Sequence, residues 1–172
     1  MDSLPRKPTI VVVPGSFSAP YFYHTFVSQL TAHKHDVVVA DLSSVGGKAA
    51  ATMIDDDQAI QDVTSKVAGE SKDIVLIMHS YGGVPGTESV HGVTKEEREA
   101  SGKIGGVVAL LYVTAFLVGP GKSLGSTVGE GAGVPDYVKV EVRRAFTSIP
   151  HIILSSVNLD FRSVFSLTFC PS

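Results

Sequence analysis

The sequence predicts an α/β fold, a mostly parallel sheet with helices on both faces. Three observations predict it. Short β-branched runs alternate with segments of helical spacing. The runs are apolar at every position rather than at every second one, which suits strands covered on both faces. Strand-to-strand steps through a helix imply parallel pairing by right-handed crossovers.

The elements follow in order. Thr9 to Val13 is an apolar run closed by Pro14 and Gly15, so it is predicted as the first buried strand. Tyr21 to Ala32 carries Phe22, Phe26 and Leu30 at four-residue spacing and is predicted as a helix with those side chains in the core. Asp36 to Asp41 holds Val37, Val38 and Val39, a second strand. Ser43 to Ala51 is rich in Gly, Ser and Ala and is predicted as a loop. Asp55, Asp56 and Asp57 suit a solvated helix start, where the dipole favours negative charge. Ile60, Val63 and Val67 continue that helix. Asp73 to Met78 is the third strand. Thr94 and Glu97 have the spacing of a capping box opening a short charged helix. Gly105 to Thr114 is the fourth strand. Gly119 to Gly133 is glycine-rich and is predicted as a loop, and from Val142 to Ser172 no αβ rhythm is visible. No internal repeat or interdomain linker is evident.

Composition narrows the function. The chain has 172 residues, 44% hydrophobic and 18% charged, which is globular. A net charge of -3, with Lys and Arg scattered, gives no case for nucleic acid or an anionic membrane. Cys170 is the only cysteine, so no intrachain disulfide can form. Residues Met1 to Pro8 hold no apolar run of signal-peptide length, and the expectation is a soluble, cytoplasmic protein. No G-x-G-x-x-G follows the first strand, and the histidine spacings make no convincing metal site. Neither a cofactor nor a metal is expected.

The chemistry-bearing motif is Met78-His79-Ser80-Tyr81-Gly82-Gly83. A serine hydroxyl is a poor nucleophile and needs a base and an exposed, strained position. A sharp strand-to-helix turn supplies that position. Gly82 is expected to make room for the returning helix, whose first amides would face the site. Ser80 is the candidate nucleophile. An oxyanion hole needs two convergent amides. One would come from Tyr81, the other from Ser16 or Phe17 after Pro14-Gly15. Tyr21 and Phe17 are candidates for a pocket mouth. The G-x-S-x-G pattern is met only in part, because Met78 stands at its first glycine. His79 adjoins Ser80 but is expected to diverge from it and to serve packing or hydrogen bonding. His24, His33, His35 and His91 read as surface residues.

The segments Thr9 to Ser16, Val38 to Leu42 and Met78 to Gly86 resemble a group of small α/β-hydrolases common in fungi. These are similar to plant methylesterases and hydroxynitrile lyases. The resemblance covers about Pro8 to Val140, and in that group a methionine at the first glycine is familiar. It implies Ser80 as nucleophile, Ser16 and Tyr81 as oxyanion donors, a small ester, thioester or lactone as acyl substrate, and no cofactor. Relatives of this kind act in secondary-metabolite or toxin pathways, which implies a biosynthetic role by analogy.

The resemblance also sets what should follow. Triad order in this fold is Ser, acid, His. His151 comes too early for a final-strand histidine, so it and the aspartates Asp136 and Asp160 are left unassigned, and the base and acid are unknown. The expectation is a partial α/β-hydrolase fold with its last strands missing, comprising a core over 1–141 and a non-family tail over 142–172. An intron read in frame, or a frameshift, would add such a tail, and the codons for Val142-Arg143 can spell a splice donor. The fourth strand would then be an open edge. Two alternatives stand beside a hydrolase: an inactive truncated pseudoenzyme or ligand-binding fragment, and a lyase or isomerase using the same site.

Overall fold

The computed structural model describes residues 7–46 and 51–118, together with the backbone of 140–143 and 151–154. The chain divides into two compact units, Met1–Ala132 and Gly133–Ser172. The division falls at the end of the glycine-rich stretch, where the sequence showed no linker.

The first unit holds a four-stranded parallel sheet in the order β2-β1-β3-β4. β1 is Thr9–Val13, β2 Val37–Val39, β3 Asp73–His79 and β4 Gly106–Val113. β1 is buried along its whole length, as a strand apolar on both faces should be. Helix α1 is His24–Ala32, α2 is Met53–Gly69, α3 is Gly83–Glu88 and α4 is Lys95–Ala100. Val11, Val13, Leu76 and Met78 pack with Ile60, Val67 and Ala68 of α2 on one face of the sheet. Ile10, Val12 and Ile77 pack with Tyr23, Phe26 and Leu30 on the other.

The structure corrects three details. α1 begins at His24, because Pro20 opens a separate 3-10 turn over Pro20–Tyr23. Phe22 lies on that turn, 43% exposed, so it is not a core residue, whereas Phe26 is packed. The aspartate run at the start of α2 is not uniformly solvated. Asp55 closes a capping box, its Oδ2 accepting from the Thr52 N–H and hydroxyl, both at 2.7 Å. Asp56 next to it is completely buried. Thr94 and Glu97 do form the expected capping box of α4.

β4 pairs with β3 along its length, with a register shift that leaves Val108 as an extra residue. Among the described residues only Thr94 bridges to its far side, at Val107. Among the described residues β4 is also the last strand of this sheet, and its Val108, Leu110 and Leu111 are exposed. In the second unit β5 (Val140–Arg143) and β6 (His151–Leu154) form an antiparallel pair, Val140 opposite Leu154 and Arg143 opposite His151. β5 runs through the Glu141–Val142 position. No helix among the described residues is long and apolar enough to cross a membrane.

Candidate active site

β1 and β3 are neighbours and parallel, so the loops that leave their carboxyl ends meet. That is where an open α/β sheet offers a crevice. β3 ends at His79, and Ser80 begins a 3-10 turn, Ser80–Gly82, that leads directly into α3. Ser80 has φ +52°, the left-handed region that side chains other than glycine avoid. It is half-buried. Such a conformation persists only where the surroundings over-determine it.

Several contacts do so. The Phe116 N–H, from the segment after β4, donates to the Ser80 carbonyl at 3.0 Å. A Cβ on Gly82 would run into the Pro14 carbonyl oxygen and lie 2.8 Å from that of Val13. The end of β1 therefore requires a glycine at Gly82. Met78 is fully buried, and its sulfur would lie 2.8 Å from a Cβ on Gly86. The methionine at the motif's first glycine thus fills space that Gly86, eight residues on, leaves open.

The loop after β1 closes on the turn. A Cβ on Gly15 would be 3.1 Å from the Ser80 Cβ and 3.1 Å from His79 Nδ1. Gly15 to Ser18 form a turn, the Ser18 N–H donating to the Gly15 carbonyl at 3.3 Å. Phe17 within it has φ +60° and is 40% exposed. Among the described residues the Ser16 and Phe17 N–H groups donate no backbone hydrogen bond. Tyr21 is 68% exposed.

Tyr23 ties this loop to β3. Its hydroxyl accepts from the Gly15 N–H at 2.9 Å and lies 2.8 Å from His79 Nδ1. The phenol oxygen keeps a second lone pair as well as its proton, so toward Nδ1 it acts as donor or acceptor according to the His79 tautomer. Burial pushes the Tyr23 phenol up, so it keeps its proton at neutral pH. Burial pulls the His79 imidazole below its ordinary value, favouring the neutral ring. His79 therefore has the hydrogen-bonding part expected of it.

The residue on the other side of Ser80 is also held. The Tyr81 hydroxyl donates to Asp56 Oδ2 at 2.9 Å, and burial, with the Asp56 carboxylate beside it, pushes that phenol up. Asp56 was not recognised in the sequence as part of the site. Its spacing with Ile60, Thr64 and Val67, all buried, was the available signal.

The remaining histidines lie elsewhere. His24, His33 and His91 are exposed. His35 departs from the surface reading: it is half-buried, and its Nδ1 is buried without a hydrogen-bond partner. The side chain of His151, and Asp136 and Asp160, fall outside the described residues. No group of His, Cys, Asp and Glu among the described residues could hold a metal ion. A cleft lined by Lys7, Lys34, Asp36, Lys72, Asp73 and Lys95 opens at the amino ends of the strands, away from Ser80. Its cations Lys72 and Lys95 are paired, with Glu70 at 2.9 Å and Asp73 at 2.8 Å.

Known proteins resemble this chain in fold and in sequence. The structure superposes on tomato methylketone synthase I, solved with 2-tridecanone, with a TM-score of 0.64 at 15% identity, covering 88% of this chain and 57% of that one. At that identity the likeness is one of fold. An alpha/beta hydrolase of Aspergillus novofumigatus, nvfD, is 31% identical over 119 residues, 69% of this chain and 47% of the relative. A probable hydrolase of Phoma, R7, is 28% identical over 130 residues, 74% of this chain and 50% of the relative. The chain thus spans about half the length of the curated relatives it matches. The sequence model of the alpha/beta hydrolase family matches residues 10–168, reaching past β6. With a parallel sheet in this order and a serine at the turn after β3, the chain belongs to the alpha/beta hydrolase family.

Proposed function

We propose that this protein is a serine hydrolase acting on a small ester, thioester or lactone. Ser80 Oγ attacks the acyl carbonyl. The N–H of Tyr81 and that of Ser16 or Phe17 hold the developing oxyanion. The alcohol or thiol leaves, and water releases the acid from the acyl-serine. The observation that carries the reading is the strained Ser80, at φ +52°, with the Gly15 loop against it. The reaction as written needs no cofactor.

The base and acid of such a site follow later strands in this fold. Among the described residues no histidine other than His79 adjoins Ser80, and His79 Nδ1 is engaged with Tyr23. That observation favours a second reading, a chain that binds an acyl ligand without turning it over. Treatment with a fluorophosphonate probe separates the two. Labelling at Ser80, lost in Ser80→Ala, supports the hydrolase; a protein that stays unlabelled while a small ester raises its melting temperature supports the second. A cytoplasmic setting and a part in secondary-metabolite or toxin biosynthesis belong to the same proposal, of which the fungal origin of both relatives supports only a fungal context.

A further inference from the structure

Asp56 is the buried carboxyl group among the described residues, and the proposed reaction does not use it. It is 0% exposed, yet it sits in the first turn of α2. A buried carboxylate is costly unless hydrogen-bonded. Asp56 is satisfied by three donors: the Ser44 N–H to Oδ1 at 2.8 Å, the Ser44 hydroxyl to Oδ2 at 2.6 Å, and the Tyr81 hydroxyl to Oδ2 at 2.9 Å. Ser44 lies in the loop after β2. One carboxylate therefore joins three places distant in sequence: that loop, α2 and the residue next to Ser80.

Packing alone does not require this. The Tyr81 ring already packs against the cluster around Ile60 and Met78. A phenylalanine over an apolar partner would fill the same space without burying a charge, often at no loss of stability. What the carboxylate adds is direction. A ring held at its hydroxyl cannot slide, so the backbone that carries it is fixed as well. That backbone bears the amide following Ser80 and shares the turn in which Ser80 is strained.

We propose that Asp56 is a positioning residue: through the Tyr81 hydroxyl it holds the Tyr81 backbone N–H at the angle an oxyanion on the Ser80 acyl group requires. The inference rests on the reading of Ser80 as nucleophile. Asp56 touches no substrate and transfers no proton; it acts only through Tyr81.

The test follows the rate of Ser80 phosphonylation by a fluorophosphonate in the full chain. Three quantities are read: the maximal rate, the half-saturating probe concentration and the final labelled fraction. Tyr81→Phe removes one hydroxyl and leaves Asp56 its two Ser44 donors. It is expected to lower the maximal rate about tenfold, with half-saturation and labelled fraction unchanged, because a misplaced oxyanion donor is felt in the transition state. Asp56→Asn is expected to lower the rate similarly, and the double variant to be no slower than the slower single one. Val67→Ala, on the same helix, is the structural control. It should lower thermal stability while leaving the rate per folded molecule intact. Parent-like rates in Tyr81→Phe, or an equal loss in Val67→Ala, overturn the inference and leave the hydrolase reading standing. A parent protein unlabelled at Ser80 overturns both.

Discussion

Ser80 combines a backbone strained at φ +52° with a side chain that is half-buried. Strain of this kind costs on the order of 1–3 kcal/mol and collects at functional sites. Glycine adopts the same conformation freely. Ser80→Gly is therefore expected to raise stability by about 1 kcal/mol in urea denaturation while abolishing any chemistry at the site. A fall in stability would mean that the hydroxyl, not the backbone, is what the fold needs there. His79 gives a second expectation at this scale. Burial holds its imidazole below the ordinary value of 6.5, so the unfolded chain binds the proton more readily than the folded one. The contribution of neutral His79 is complete above about pH 6.5 and is lost as the pH falls from there through the lower folded-state value. Denaturation midpoints at about pH 7.5 and pH 5 should show that loss, and His79→Gln should reduce the difference.

At the scale of elements, β1, β3 and α2 were legible because their burial is encoded in type and spacing: unbroken β-branched runs, and Ile60 and Val67 on one helical face. The turn between β3 and α3 was legible from Ser80 and Gly82 together. What the sequence hid were effects of neighbours far away in the chain. Asp56 looked like one of three solvated acids, because its partners Ser44 and Tyr81 come from other elements. Phe22 looked like core because its spacing with Phe26 was helical, but Pro20 starts a tighter turn. The space for Met78 depends on Gly86 across a turn. Gly82 carries the element-scale expectation. The turn approaches β1 so closely that a methyl group meets two backbone carbonyls, which cannot rotate away as a side chain could. Gly82→Ala is expected to cost about 3 kcal/mol, read as a shifted urea midpoint with unchanged slope. A cost below about 0.5 kcal/mol, the range of ordinary surface changes, would show that β1 and the turn are not pressed together.

For the whole molecule, the first unit brings together a serine held in strain and a loop whose Ser16 and Phe17 amides donate no backbone hydrogen bond among the described residues, the two features on which the proposed acyl transfer rests. Val108, Leu110 and Leu111, on the last strand of the sheet among the described residues, are exposed apolar side chains of the kind parallel sheets normally cover. The division at Ala132–Gly133 was not legible, since the residues after Pro120 lack the periodicity on which the earlier elements were read. Whether the Ser80 hydroxyl reacts is the question on which the functional account turns. The most direct measurement is peptide mapping of the protein after reaction with a fluorophosphonate, beside Ser80→Ala treated in the same way. The account expects one phosphonyl group per chain, on the peptide bearing Ser80, and none in the variant. An unlabelled parent, or a label that survives Ser80→Ala, would contradict it.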